Sequence, residues 1–171
     1  MTALSFVALL TSTCSQTAPS STSACVSKGS LSAQIDGVVW SAACVSAANN
    51  VDLGYVEVFG NTLDGTQRMT FRLYAIQPGT YLLGGLELAP VGMGSSAGLN
   101  IGCQPRPGPC PAWIVAPCCG QPNGNGSGTI AITDITETSA SGTFSFDLVA
   151  NSVSGATGPK AVTNGRFNVT F

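Results

Sequence analysis

The sequence contains no histidine, and that absence removes a good deal of chemistry. Without an imidazole there is no Ser-His-Asp or Cys-His nucleophile system, and no zinc or iron site that uses histidine. Charge is scarce as well: Lys, Arg, Asp and Glu make up 8% of the 171 residues, where an ordinary globular chain has about 25%. The six cations, Lys28, Arg68, Arg72, Arg106, Lys160 and Arg166, stand singly, and the net charge is −2. The basic stripe of a nucleic-acid-binding protein is therefore missing, and no nucleic-acid partner is expected. Long apolar runs are missing too. No window after the first ten residues approaches the roughly 18 apolar residues of a membrane span, and no ten-residue window shows helical periodicity.

What remains is a chain with 21 Gly and 10 Pro whose apolar residues recur at a period near two, the pattern of half-buried strands between turns. It is cleanest between Ser127 and Phe171. Phe144, Phe146 and Leu148 share one side of a predicted strand, with Thr143, Ser145 and Asp147 on the other, and Phe167, Val169 and Phe171 repeat the pattern across the polar loop Asn151 to Pro159. Upstream, Leu31, Ala33 and Ile35 run into Asp36-Gly37, a strong hairpin signal, and Val38, Trp40 and Cys44 are expected on the core face of the returning strand. Further strands are predicted at Val51 to Phe59, Met69 to Ile76, Thr80 to Leu83, Leu86 to Leu88 and Ala97 to Ile101, with Thr70, Arg72 and Tyr74 outward. The expected fold is all-β: one antiparallel two-layer sandwich of about eight to ten strands, with a closed barrel as the alternative.

Residues 1–14 read as a signal segment. The apolar run Ala3 to Leu10 is followed by Leu10-Thr11-Ser12-Thr13-Cys14, which looks like a degenerate bacterial lipobox with Cys14 as the lipidated residue; the other reading is an ordinary signal peptide with a cysteine nearby. Residues 15–26 are a Ser/Thr-rich tether, and residues 27–171 are expected to form the β-domain. This places the protein outside the cytoplasm, at the bacterial outer membrane, periplasm or cell surface, held by an N-terminal lipid anchor or else secreted.

Setting Cys14 aside leaves six cysteines, Cys25, Cys44, Cys103, Cys110, Cys118 and Cys119. In an exported protein these are disulfide candidates. The alternative is a four-thiolate site from the last four, whose spacing differs from the two-to-four-residue gaps of zinc knuckles. The expected pairing joins Cys103 to Cys110, and joins Cys25 and Cys44 to Cys118 and Cys119 in some order. These bridges would pin the Pro/Gly-rich loop at residues 102–127. Trp113, inside that loop, is either a contact for a ligand or partner or a cover for the sheet.

Four short motifs occur in order: Ile35-Asp36-Gly37-Val38-Val39-Trp40, Pro78-Gly79-Thr80-Tyr81, Gly142-Thr143-Phe144-Ser145-Phe146, and Thr163-Asn164-Gly165-Arg166-Phe167. In this the chain resembles a family of functionally uncharacterised bacterial lipoprotein domains, abundant in Bacteroidota, over Leu31 to Phe171. The resemblance implies an all-β domain on a lipid anchor and carries over no catalytic residue.

The eight carboxylates are spread along strands and turns, and Asp134 and Glu137, three apart, are the closest pair. Two carboxylates fall short of the roughly six to eight oxygens calcium takes. No enzyme activity, metal or cofactor is expected. The expectation is a non-catalytic cell-envelope lipoprotein domain with a structural or partner-binding role, or else a glycan- or small-ligand-binding module built on the 102–127 loop.

Overall fold

A computed structural model describes residues 25–74, 77–84, 95–103, 110–115 and 126–171. The signal-like segment with Cys14, most of the tether, the predicted strand Leu86 to Leu88, and Cys118 and Cys119 lie outside the described residues.

Eleven strands are present among the described residues: β1 Gly29–Ile35, β2 Val38–Ser41, β3 Cys44–Asn50, β4 Tyr55–Asn61, β5 Gln67–Leu73, β6 Gly79–Leu83, β7 Ser96–Ile101, β8 Ala112–Val115, β9 Ser127–Ile135, β10 Ser139–Ala150 and β11 Lys160–Thr170. Every pair is antiparallel. A front sheet runs β6-β9-β10-β11-β1-β2, and a back sheet runs β3-β4-β5-β7-β8. The two are one curled system. The long β10 spends most of its length against β9, then pairs Val149 and Ala150 with Ile114 and Trp113 of β8. At the other corner the chain leaves β2 and enters β3 through Ala42 and Ala43, whose amides bond Leu31 of the front sheet and Asn61 of the back sheet. The fold is all-β and layered as expected, and its joined corners give it a barrel-like character.

The period-two reading holds in the core strands. Leu31, Ala33 and Ile35 of β1, Met69, Phe71 and Leu73 of β5, and Phe144, Phe146 and Leu148 of β10 are all buried in one core. Phe71 sits at its centre. This back-sheet ring lies 5.4, 6.3 and 5.3 Å from the rings of Phe144, Phe146 and Phe167 of the front sheet.

The two late motifs form one interlock. Phe144 of β10 lies opposite Gly165 of β11, and Gly142 of β10 lies opposite Phe167. A Cβ at Gly165 would fall into the Phe144 ring, and one at Gly142 would meet the Phe167 ring. Each ring covers the strand position where the neighbour has no side chain, so the two segments fit in one register. Asn164 adopts a left-handed φ of 54° at the bulge before Gly165, which switches the phase of β11 so that both Val162 and Phe167 face inward.

The first motif is also used for folding. Asp36 and Gly37 have φ of 50° and 81°, the two left-handed residues of a type I′ hairpin turn, and Trp40 is buried. The Asp36 carboxylate accepts bonds from Lys160 Nζ at 2.6 Å and the Ala161 amide at 3.0 Å. Chiefly through the Lys160 bond, and then the Ala161 amide, its pKa is held below the usual 3.8. Such a group stabilises the fold above the unfolded-state value, and the contribution is lost as pH falls through the lowered one. Asp36→Asn keeps the turn, because Asn tolerates positive φ. With the Asp36 side chain 43% exposed, solvent screening holds the expected loss at neutral pH below about 1 kcal/mol. The difference from the parent should disappear in strong acid, as measured by urea unfolding at the two pH values.

Three expectations need correction. Val38 is 70% exposed, because it sits beside the hairpin tip, beyond the edge of the second layer. Val45 and not Cys44 is buried at the start of β3, since the Ala42-Ala43 corner shifts the phase by one residue. Val51 to Gly54 is a turn, closed by bonds from the Leu53 amide to Asn50 Oδ1 and from the Gly54 amide to the Val51 carbonyl; the strand starts at Tyr55. Thr80 to Leu83 forms a strand as expected and pairs with β9, while Leu86 to Leu88 lies outside the described residues. Strand β8 also exists within the Pro/Gly-rich loop, and it raises the strand number above the eight to ten expected.

Candidate binding faces

Among the described residues, three of the carboxylates are engaged in ion pairs or turns. Asp36 is tied to Lys160 and Glu57 to Arg72. Asp64 folds over its own turn, accepting from Thr62 Oγ1 and from the Thr66 amide and hydroxyl, and these bonds, Thr62 first, lower its pKa. Asp134 and Glu137 are exposed around the β9–β10 turn. No group of three or more metal-ligating side chains converges among the described residues.

Among the described residues two disulfides are present, Cys25–Cys44 and Cys103–Cys110, with Cα atoms 5.7 and 4.7 Å apart. The local Cys103–Cys110 bridge matches the expectation. The expected link from Cys25 and Cys44 to Cys118 and Cys119 does not form, because residues 25–28 lie beside the start of β3. There the Lys28 amide bonds the Val45 carbonyl at 2.8 Å, and the Val45 amide bonds Ser27 Oγ at 3.2 Å. That backbone contact brings Cys25 to Cys44. Two bridges in one small domain hint at folding in an oxidising, extracytoplasmic setting.

Trp113 is not a surface platform. It is 7% exposed, its indole N–H donates to the Gly158 carbonyl at 2.9 Å, and Lys160 Nζ lies 5.6 Å from its ring centre. Ser154 holds the same corner: its hydroxyl accepts from the Ala112 amide at 2.9 Å and donates to the Asn151 carbonyl at 2.7 Å. Burial of Trp113 and Val115 anchors β8 in the core, which fits the reading of this tryptophan as a cover for the sheet.

Three half-buried aromatics, Tyr55, Phe59 and Tyr74, cluster on the outer face of β4 and β5. With Val56, Val58 and Gly60 inward, Tyr55, Glu57, Phe59 and Asn61 point out; opposite them Arg72 faces Glu57, Thr70 faces Phe59, and Arg68 faces Asn61. Arg72 lies 4.7 Å over the Tyr55 ring and bonds Glu57 at 3.0 Å. Arg68 lies 4.9 Å over Phe59 and donates through Nε to Asn61 Oδ1 at 3.2 Å. Tyr74 meets Tyr55 edge-on with ring centres 5.6 Å apart. Partial burial opposes the charge of Arg72, but the hydrogen bond and charge of Glu57 outweigh it and hold its pKa above the ordinary value. The result is a rigid patch of stacked rings and guanidinium groups. The outward phase of Thr70, Arg72 and Tyr74 was legible in sequence. That of Tyr55 and Phe59 could have been read from their alternation with Val56 and Val58.

These features define a class: a histidine-free, disulfide-tied antiparallel β-domain that carries an aromatic and arginine face. The chain belongs to the family described as domain of unknown function (DUF6252), which matches residues 27–169. No curated protein and no solved structure matches it.

Proposed function

We propose that this is a non-catalytic cell-envelope lipoprotein domain, of the type that resembles Bacteroidota lipoproteins, and that it holds a protein partner through the outer face of β4 and β5. The observation that carries the reading is the composition of that face. Tyr55, Phe59, Tyr74, Arg68 and Arg72 are of the residue types that dominate binding hot spots, and they are held in place by stacking before any partner arrives. The two disulfides and the Cys14 segment followed by a Ser/Thr-rich tether support display outside the cytoplasm. The 102–127 loop is a weaker basis for a glycan module once Trp113 is buried.

Intact mass of the protein extracted from native membranes tests the anchor: a diacylglyceryl-modified chain starting at Cys14 is expected, and an unlipidated soluble species would overturn it. For the face, a photo-crosslinking residue at Tyr74 in intact cells should give one dominant protein adduct that the same probe at Asn168, on the other sheet, does not. Arg68→Ala combined with Phe59→Ala should weaken that adduct by more than about ten-fold. Equal crosslinking at both positions would refute the assignment.

A further inference from the structure

The outer face of the front sheet carries a second feature, unconnected with the aromatic patch. A hollow of about 320 Å³ lies over β6, β9, β10 and β11, walled by Thr80, Thr129, Thr143, Ser145, Asn164 and Arg166. We propose that it binds an anionic sugar unit, with the acidic group on Arg166 and the sugar hydroxyls on Thr129, Thr143 and Ser145.

The register builds this site. One cross-strand row runs Thr80, Ala131, Thr143, Arg166, Ser32, and the next runs Leu82, Thr129, Ser145. Neighbouring strands lie about 4.8 Å apart, and same-face residues along a strand about 6.8 Å apart. Hydroxyls are thus spaced over an area suited to one ring and not to a chain of rings. The volume agrees, being at the lower end of the roughly 300–1,000 Å³ of ligand sites. The Ala131 methyl keeps the floor low and partly apolar, as the C–H face of a sugar requires.

Charge selects the anion. Arg72 on the back sheet faces Glu57 directly across the strands, the ordinary way to settle a sheet arginine. Arg166 instead faces Thr143 on one side and Ser32 on the other, and its guanidinium has no hydrogen-bond or ion-pair partner among the described residues. Among the described residues, no carboxylate lines the hollow. Asn164 is held by its bond from Nδ2 to Gln34 Oε1 at 2.9 Å, and Thr129 and Ser145 hydroxyls are paired at 3.0 Å, which orients that side of the wall in advance. A guanidinium beside neutral donors, with no competing acid, favours a carboxylate or phosphate ester that also offers hydroxyls.

The test is an amide NMR titration of the isotope-labelled 171-residue chain with glucuronic acid, glucose 6-phosphate, glucose and inorganic phosphate. Both acidic sugars should move amides of residues 129–131, 143–145 and 164–166, with glucose at least about ten-fold weaker, since a hydrogen bond to a charged group contributes that much. Arg166→Gln, an exposed change that should leave the remaining spectrum in place, should reduce the acidic sugars to the level of glucose. Thr143→Val should weaken every sugar. The proposal is overturned if neither acidic sugar moves these amides, if glucose binds equally well, if Arg166→Gln binds as the parent does, or if inorganic phosphate binds as tightly as glucose 6-phosphate.

Discussion

Phe71→Ala is expected to destabilise the domain by about 3–5 kcal/mol, the cost of emptying a fully buried aromatic site. The ring is 1% exposed and touches three phenylalanines of the opposite sheet, so its loss removes transfer energy and ring-to-ring contact together. Collapse around the void is resisted. Phe144 and Phe167 are each pinned over a glycine of the neighbouring strand and cannot move inward without opening the β10–β11 register. For a chain of this length each kcal/mol shifts the melting temperature by about 2–4 °C, giving a drop of roughly 10 °C. Phe71→Leu, which keeps most of the volume, should cost less than about 1.5 kcal/mol. Urea unfolding of both variants checks the pair, and a mild effect of the alanine would show that the sheets do not meet through this ring.

Removing the Cys25–Cys44 bridge, as the double variant Cys25→Ser with Cys44→Ser, is expected to cost about 3 kcal/mol, because the bond closes a span of 19 residues whose freedom in the unfolded chain it restricts. The shorter Cys103–Cys110 span of 7 residues should cost about 2 kcal/mol by the same argument. The larger effect has a structural side as well. The span contains the whole β1–β2 hairpin and the corner into β3, so the bridge ties the front sheet to the back sheet where the chain first crosses between them. Chemical unfolding of the two double variants should rank them in that order. Peptide mapping without reduction should find Cys25 joined to Cys44, and finding it joined to Cys118 or Cys119 instead would refute the assignment.

Much of the architecture was legible in the chain because strand character is local. Alternation placed Phe144, Phe146 and Leu148, and Met69, Phe71 and Leu73, on buried faces without knowledge of their partners, and Asp36-Gly37 specified its own turn. The misreadings occurred where a local irregularity changes the phase. Ala42-Ala43 shifts β3 by one residue, and Val51 to Gly54 looks strand-like until Asn50 captures the Leu53 amide. Trp113 was ambiguous for a different reason. Five residues between Pro111 and Pro117 carry too little pattern to reveal a strand, and β8 exists through its partners β7 and β10 and the Ser154 and Gly158 contacts.

By itself the sequence determined the all-β class and the exclusion of histidine chemistry, since each of these depends on residue type and short-range order, whereas the reciprocal fit of Gly142 with Phe167 and Gly165 with Phe144 needed the β10–β11 register. The tertiary structure decided which cysteines meet, that Trp113 is core, that Tyr55, Phe59 and Tyr74 share a face with Arg68 and Arg72, and that Arg166 stands beside hydroxyls with no partner among the described residues. These are facts about which strands become neighbours. In an antiparallel fold that choice rests on contacts between residues more than a hundred positions apart, as between Gln34 and Asn164, and no local pattern encodes it.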